Sequence, residues 1–431
     1  MAEVDIATQA HEELGFSRWW QIVAAVVMMA LVSPYQYVWS SIQEPLANDL
    51  GVSLPALGAV FTLYVIFQSG TQFPAGWWRD RHGPQTMTVV AGLLAGGGYV
   101  GLAYANELWQ VYFLYSLGAI GVGIVYTIAV NTAVKWFPDR RGLTTGAGTM
   151  AFAAGSALFV PYVRANATVS AFASVLENVG LLIGIGVIVG ALVLRDPPDD
   201  WPNDTETPDK NKADLISDPS QTAQSTAMNP SVNRTPQYTW DEVVRTWQFW
   251  VMYAMFVGIS GANLMLAANL IPFAENLGIA AFIATASATV LPIADGIGRL
   301  GVGGISDRIG RERSMIATFS LCGIGLFLLV GMGAIGSTLG FLGAVVIAAS
   351  FEGTQYTLFP SVIGDYYGEE HSSTNYAILY SAKMVGGIFG GAAVSWIVGV
   401  TNWTTAFLIG GVLALIAGLG ATVLRAPDTE A

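Results

Sequence analysis

Apolar stretches of about 20 residues recur from end to end of this chain, each long enough to cross a bilayer core of roughly 30 Å as an α-helix. Twelve can be marked, near residues 19–41, 54–75, 85–105, 109–134, 142–163, 170–194, 247–270, 281–304, 314–334, 337–361, 373–398 and 403–424. Inside lipid the backbone must satisfy its own hydrogen bonds, so these spans, numbered 1 to 12, predict an all-α membrane protein. Composition agrees: 11% of the 431 residues are charged, against roughly a quarter in a soluble domain.

Orientation follows from the basic residues, because cytoplasmic loops retain Lys and Arg. All but three of the 18 fall on one side of the alternating spans; Arg164 falls on the other, and Arg299 and Lys383 lie within apolar segments. Both termini are therefore expected in the cytoplasm of a multi-pass protein of the cell membrane. The polar, acidic start, "MAEVDIATQAHEELGFS", has no basic region before an apolar core, so no signal peptide is expected. The net charge of −12 sits mainly in the N-terminal tail and central loop and is read as solubilising. Cys322, the single cysteine, is expected to fill core space.

A stretch rich in Pro, Asp, Asn, Ser and Thr divides the spans into two sets of six. The expected organisation is a tail (1–18), a six-helix bundle (19–194), a flexible cytoplasmic linker (195–246), a second six-helix bundle (247–424) and a short tail (425–431). A short interfacial helix is expected near "TWDEVVRT".

The halves repeat each other. "GWWRDRHG" (Gly76 to Gly83) follows span 2 and "GGISDRIG" (Gly303 to Gly310) follows span 8, both G-x-x-x-D-R-x-G and 227 residues apart. This doubled loop resembles that of the major facilitator superfamily, which implies two pseudo-symmetric six-helix halves rocking about a central site. Within the motif, Asp80, Arg81, Asp307 and Arg308 are expected to cap helix ends and pair across helices, while Gly76, Gly83, Gly303 and Gly310 permit close turns. Gating is the expected role.

Spans 3, 6, 9 and 12 lack interior charge and are expected to face lipid all round. The other spans carry Gln36, Gln68, Gln72, Asn131, Asn263, Asn269, Asp295, Arg299, Glu352 and Lys383, and are expected to line a cavity. "DGIGRLG" (Asp295 to Gly301) contains G-x-G-x-x-G, yet its glycines end an apolar span and no acidic residue follows about 20 positions on. A dinucleotide loop is therefore rejected; the glycines are expected to let neighbouring backbone approach. Asp295 and Arg299, four apart, share a helix face within ion-pairing reach. An unpaired charge in a bilayer costs at least a few kcal/mol, so two buried cations, Arg299 and Lys383, point to anion binding. Arg supplies a planar fork for a carboxylate and Lys a mobile point charge.

"GIVYTIAVNTAVKWFPDRRGL" (Gly123 to Leu143), "RTWQFW" (Arg245 to Trp250), "LFPS" (Leu358 to Ser361) and "SAKMVGGIFGG" (Ser381 to Gly391) resemble segments of the oxalate/formate antiporter family, related to proton-coupled monocarboxylate transporters. The resemblance implies that Arg299 and Lys383 hold the carboxylate, with Gln36, Tyr37, Tyr126 and Tyr356 completing the pocket. Where that family is expected to have a neutral amide and two tryptophans, this chain has Asp295, Glu352 and Tyr380. The D-x-x-x-R spacing is similar to that of monocarboxylate transporters. Two cations set against Asp295 and Glu352 sum to zero, so a monoanion would bring a deficit that one proton could cancel.

The expected function is secondary transport of a small carboxylate by alternating access: proton-coupled symport of a lactate-, formate- or acetate-like monocarboxylate, with Asp295 and Glu352 as proton sites. Obligatory antiport of the oxalate-for-formate type is the alternative within transport; a carboxylate-binding membrane sensor is the alternative outside it. His11, His82 and His371 lie in tails or loops, and no P-loop is present, so no enzyme, metal site or cofactor is expected. The expected partners are the carboxylate, protons and the lipid bilayer, with no nucleic acid, and the chain is expected to act as a monomer.

Overall fold

The computed structural model describes residues 14–137, 141–167, 171–197, 237–368 and 371–427; the tails and most of the linker lie outside them. The described residues are helical, with no strand among them. Ten of their helices are long and apolar enough to cross a membrane. The other two expected spans are also helical. Span 3 is Gln85–Leu102, and span 10 is split into Thr338–Glu352 and Gln355–Tyr367 by a break at Gly353 and Thr354.

Several spans change direction where polar side chains gather. Span 1 runs through Trp19–Val32 and Pro34–Tyr37, and Trp39–Leu50 carries the chain on beyond it. Span 11 runs through Ser372–Tyr380, Ala382–Ile388, a π-helical turn at Phe389–Ala393, and Val394–Val400. Such wide turns often mark functional positions inside helices. Spans 7 and 8 are the long helices Trp247–Asn276 and Ala281–Ile309.

The expectation that spans 3, 6, 9 and 12 face lipid all round is corrected: each exposes one side and buries the other. Span 6 exposes Leu181, Ile185 and Val189 but buries Val179, Ile183 and Val187. A Cβ added at Gly96 would crowd the Gly180 and Gly184 backbone, so spans 3 and 6 touch through bare glycines. Cys322 is buried in span 9 as expected.

One face carries the starts of spans 1 and 7 and the ends of spans 4, 6 and 10. Arg18 Nη1 donates to the Trp136 carbonyl (3.1 Å), Trp136 Nε1 to that of Arg195 (2.9 Å), and the Tyr238 amide to that of Tyr367 (2.9 Å). The expected interfacial helix is present as Trp240–Val243, closed by a capping box of Thr239 and Glu242.

The doubled loop motif is sorted by the structure into distinct jobs. Gly83 and Gly310 end their helices at φ +72° and +94°, where a side chain is disfavoured. Gly76 and Gly303 sit instead where a Cβ would touch Thr127 and Thr357, at 3.6 and 3.2 Å. The expected cross-helix pairing of Arg81 and Arg308 is corrected: both are exposed, and Arg81 lies over its own helix's Trp77. Neighbouring arginines make those pairs. Arg79 meets Asp196 at 2.9 Å, and Arg311 meets Asp365 at 3.3 Å. The side chains of Asp80 and Asp307 lie outside the described residues.

Candidate functional site

Span 8 places Asp295 and Arg299 one turn apart, and both are buried. Arg299 donates from Nε to Asp295 Oδ1 (2.8 Å) and from Nη2 to Oδ2 (2.6 Å), a bidentate pair. An exposed pair at this spacing contributes a few tenths of a kcal/mol, whereas breaking a buried one costs about 3–5 kcal/mol. The interior thus makes the partnership obligatory. Tyr37 of span 1 completes it from the other half, donating to Asp295 Oδ2 (2.7 Å) and accepting from Arg299 Nη2 (3.1 Å).

The seat of this pair is Gly353, at the break in span 10. A Cβ there would overlap Asp295 Oδ1 and crowd Arg299 Nε, so the pair rests directly on bare backbone. Glycines of span 8 provide similar closeness. Gly298 lies where a Cβ would overlap the Ser350 carbonyl, and Gly296 where it would touch Met150 Cγ at 3.2 Å; Gly301 meets nothing.

Lys383 is buried just after the interruption of span 11. Its ammonium donates to Gln68 Oε1 of span 2 (3.1 Å) and to the Tyr380 hydroxyl (3.3 Å). The ring of Tyr356 joins the two cations: Arg299 Cζ stands 4.9 Å from its centroid and Lys383 Nζ 5.5 Å. Tyr380, Tyr376 and Phe256 extend this aromatic wall.

The structure thus gathers Tyr37, Asp295, Arg299, Tyr356, Tyr380 and Lys383. Gln36 and Tyr126 make no hydrogen bond to either cation; Tyr126 packs on Phe152, and Gln36 Oε1 is buried without a partner. Glu352 is buried, and neither carboxyl oxygen has a hydrogen-bond partner. Asn263 of span 7 lies alongside it. Gln68, expected only to line the cavity, is a direct partner of Lys383, and Gly353 is a part of the site that the sequence reading did not single out. The signals for them were an amide inside an apolar span and a glycine following an acidic residue.

Away from the terminal face, the halves are tied together. Gln43 donates to the Ala268 carbonyl (2.8 Å), and Thr62 Oγ1 to that of Gly387 (3.0 Å). Arg164 of span 5 donates to Glu275 of span 7 (2.7 Å) and to Thr285 of span 8 (3.3 Å). Glu44 joins this cluster: its hydrogen bond with Glu275, then burial and the Glu275 charge, push its carboxyl up to about 7, partly offset by Arg164. The ion pairs of the terminal face, Arg79 with Asp196 and Arg311 with Asp365, each stay within one half.

Such a fold, two six-helix halves closed around buried charges, is that of a polytopic membrane carrier. Residues 22–348 and 257–431 match the profile described as Major Facilitator Superfamily. The oxalate:formate antiporter of Oxalobacter formigenes is 32% identical over 401 residues, covering 93% of this chain and 90% of that one. Monocarboxylate transporter 12-B of Danio rerio is 22% identical over 340 residues, covering 75% and 69%. The crystal structure of a D-xylose-proton symporter superposes with a TM-score of 0.72 at 15% identity, covering 96% and 98%. The chain belongs to the major facilitator superfamily. It is a secondary transporter; its fold and relatives are those of carriers, not enzymes.

Proposed function

We propose that this carrier moves a small monocarboxylate together with a proton by rocking the bundles 19–194 and 247–424 about Arg299 and Lys383. The observation that carries the reading is the difference between the two cations. Arg299 is neutralised by Asp295, while the hydrogen-bond and ring partners of Lys383 are neutral. A carboxylate arriving over Tyr356 would supply the missing charge and displace Gln68 from Lys383. Arg299 can then turn one N–H toward the same anion, because its fork has donors beyond those Asp295 takes.

The proton belongs on Glu352 in this reading. Asp295 is already engaged by three hydrogen bonds, two from Arg299 and one from Tyr37. An ionised Glu352 would be a buried charge without a hydrogen bond, a costly state. With Glu352 protonated, the group formed by Asp295, Arg299, Lys383 and Glu352 carries one positive charge, which a monoanion cancels. Anion and proton then cross as a neutral set. The ties at Gln43, Thr62 and Arg164 support a state closed away from the terminal face, which the basic residues assign to the cytoplasm of the cell membrane. The chain is taken to work as a monomer.

Obligatory exchange of the oxalate-for-formate kind is the second reading, favoured by the 32% identity to an oxalate:formate antiporter. Uptake of radiolabelled monocarboxylates into proteoliposomes separates the two. Symport predicts accumulation driven by an imposed pH gradient without internal anion. Exchange predicts uptake only with internal counter-substrate.

A further inference from the structure

Span 11 carries its charge on one side of a widened turn. Lys383 lies in Ala382–Ile388, and the next five residues, Phe389–Ala393, form the π-helical turn. Widening a helix from i→i+4 to i→i+5 bonding takes backbone groups away from their α-helical partners, so other groups must take their place. Asn269 of span 7 donates to the Gly390 carbonyl at 3.0 Å. Thr62 of span 2 uses one hydroxyl twice: it donates to the Gly387 carbonyl at 3.0 Å and accepts the Ala392 N–H at 2.9 Å. Those two backbone groups are five residues apart. The hydroxyl therefore stands inside the hydrogen-bond ladder of span 11, where an i→i+5 bond would run.

Both helices are shaped to admit it. A Cβ at Gly391 would crowd Thr62 Oγ1 and the Gly58 carbonyl, one at Gly58 would overlap Ser395, and one at Gly387 would crowd Val65. Bare backbone thus brings the helices close enough for a side chain as short as threonine's to reach the ladder. Six residues further along span 2, Gln68 holds the Lys383 ammonium. The two supports of the turn differ in where they belong. Asn269 lies in the same half as span 11 and moves with it. Thr62 lies in the other half, away from the terminal face, and leaves when the halves part there. Without the hydroxyl, the Ala392 N–H regains its α-helical partner, the Ile388 carbonyl, by tightening of the turn. Tightening by one residue rotates the two sides of the helix against each other by roughly 100°.

We propose that Thr62 is a positioning residue for transport: inserted into span 11, it holds the π-turn and the aim of Lys383 toward Gln68 and Tyr356 while the halves are apposed, and its withdrawal re-aims Lys383 as they part. This rests on the reading in which Lys383 meets the anion.

The test reads both the turn and the transport. Spin labels at Val385→Cys and Trp396→Cys, exposed positions on either side of the turn, report its width as a distance in a Cys322→Ser background. Tightening should shift that distance on the order of a few ångströms. The distance belonging to the widened turn should be lost in Thr62→Val, which keeps the shape without the hydroxyl, and in Thr62→Ala, and kept in Thr62→Ser. In the unlabelled proteins, maximal uptake of radiolabelled lactate into proteoliposomes should fall about ten-fold in the valine and alanine variants while the half-saturating concentration changes far less, because what is lost belongs to the closed state. Thr62→Ser should stay near the parent. One distance distribution shared by all four proteins, or an equal loss of uptake in Thr62→Ser, would overturn the inference. A label shift in a parent that takes up no lactate would contradict the carboxylate reading and not the inserted hydroxyl.

Discussion

The hydroxyl of Tyr37 donates to Asp295 Oδ2 at 2.7 Å, so a residue of span 1 closes an ion pair that belongs wholly to span 8. Because the two spans lie in different halves, this bond exists only while the halves are apposed here. A hydrogen bond to a charged group contributes about 1.5–3 kcal/mol. Tyr37→Phe should therefore shift the conformational equilibrium about ten-fold or more away from this state. Labelling of a cysteine introduced as Ser287→Cys, in a Cys322→Ser background, should rise when impermeant reagent is applied from the face opposite the termini. Unchanged labelling would show that Tyr37 does not tie the halves.

Gly353 makes a sharper steric prediction. Gly353→Ala should drive the added methyl into Asp295 and Arg299, break the bidentate pair and abolish transport, with a stability loss on the order of the 3–5 kcal/mol that a broken buried pair costs. Gly301→Ala, where a Cβ meets nothing, should transport at the parent rate. Uptake and thermal unfolding in detergent check both, and equal behaviour of the two variants would contradict the assigned seat.

The cluster at Arg164 should respond to pH. The Glu44 carboxyl is raised to about 7 while hydrogen-bonded to Glu275 and returns to an ordinary value when the halves part. The closed latch thus binds the proton more tightly than the open one, so closure is complete at low pH and is lost as pH rises through about 7. Accessibility from the face opposite the termini should increase between pH 6 and 8 on the order of several-fold. Glu44→Gln, which keeps a neutral side chain at every pH, should abolish the increase; a parent-like rise in that variant would rule Glu44 out.

Glu352→Gln should separate coupling from binding. The amide preserves shape and neutrality but has no proton to release, so exchange of labelled for unlabelled substrate should continue while accumulation driven by a pH gradient falls to background. Persistence of gradient-driven accumulation would move the proton site away from Glu352, with Asp295→Asn the next variant to measure.

Much of this arrangement is legible before folding. The apolar spans, the doubled loop and the spacing of Asp295 and Arg299 are local patterns whose periods report helices, repeats and shared faces directly. Partners across helices are not local. Gln68 is recognisable as an amide in lipid, but nothing in its neighbourhood names Lys383, 315 positions away. Gly353 is one of 50 glycines, and only the approach of span 8 distinguishes it. Arg81 and Arg308 mislead for a related reason: the motif marks the turn, while the neighbouring Arg79 and Arg311 have the direction needed to reach a partner.

The central claim, that Lys383 supplies the uncancelled charge for a carboxylate, is tested most directly by gradient-driven uptake of radiolabelled lactate or glycolate into proteoliposomes holding the parent protein or Lys383→Ala. The parent should accumulate the acid, and Lys383→Ala should match protein-free liposomes. Accumulation by Lys383→Ala at the parent rate would contradict the account.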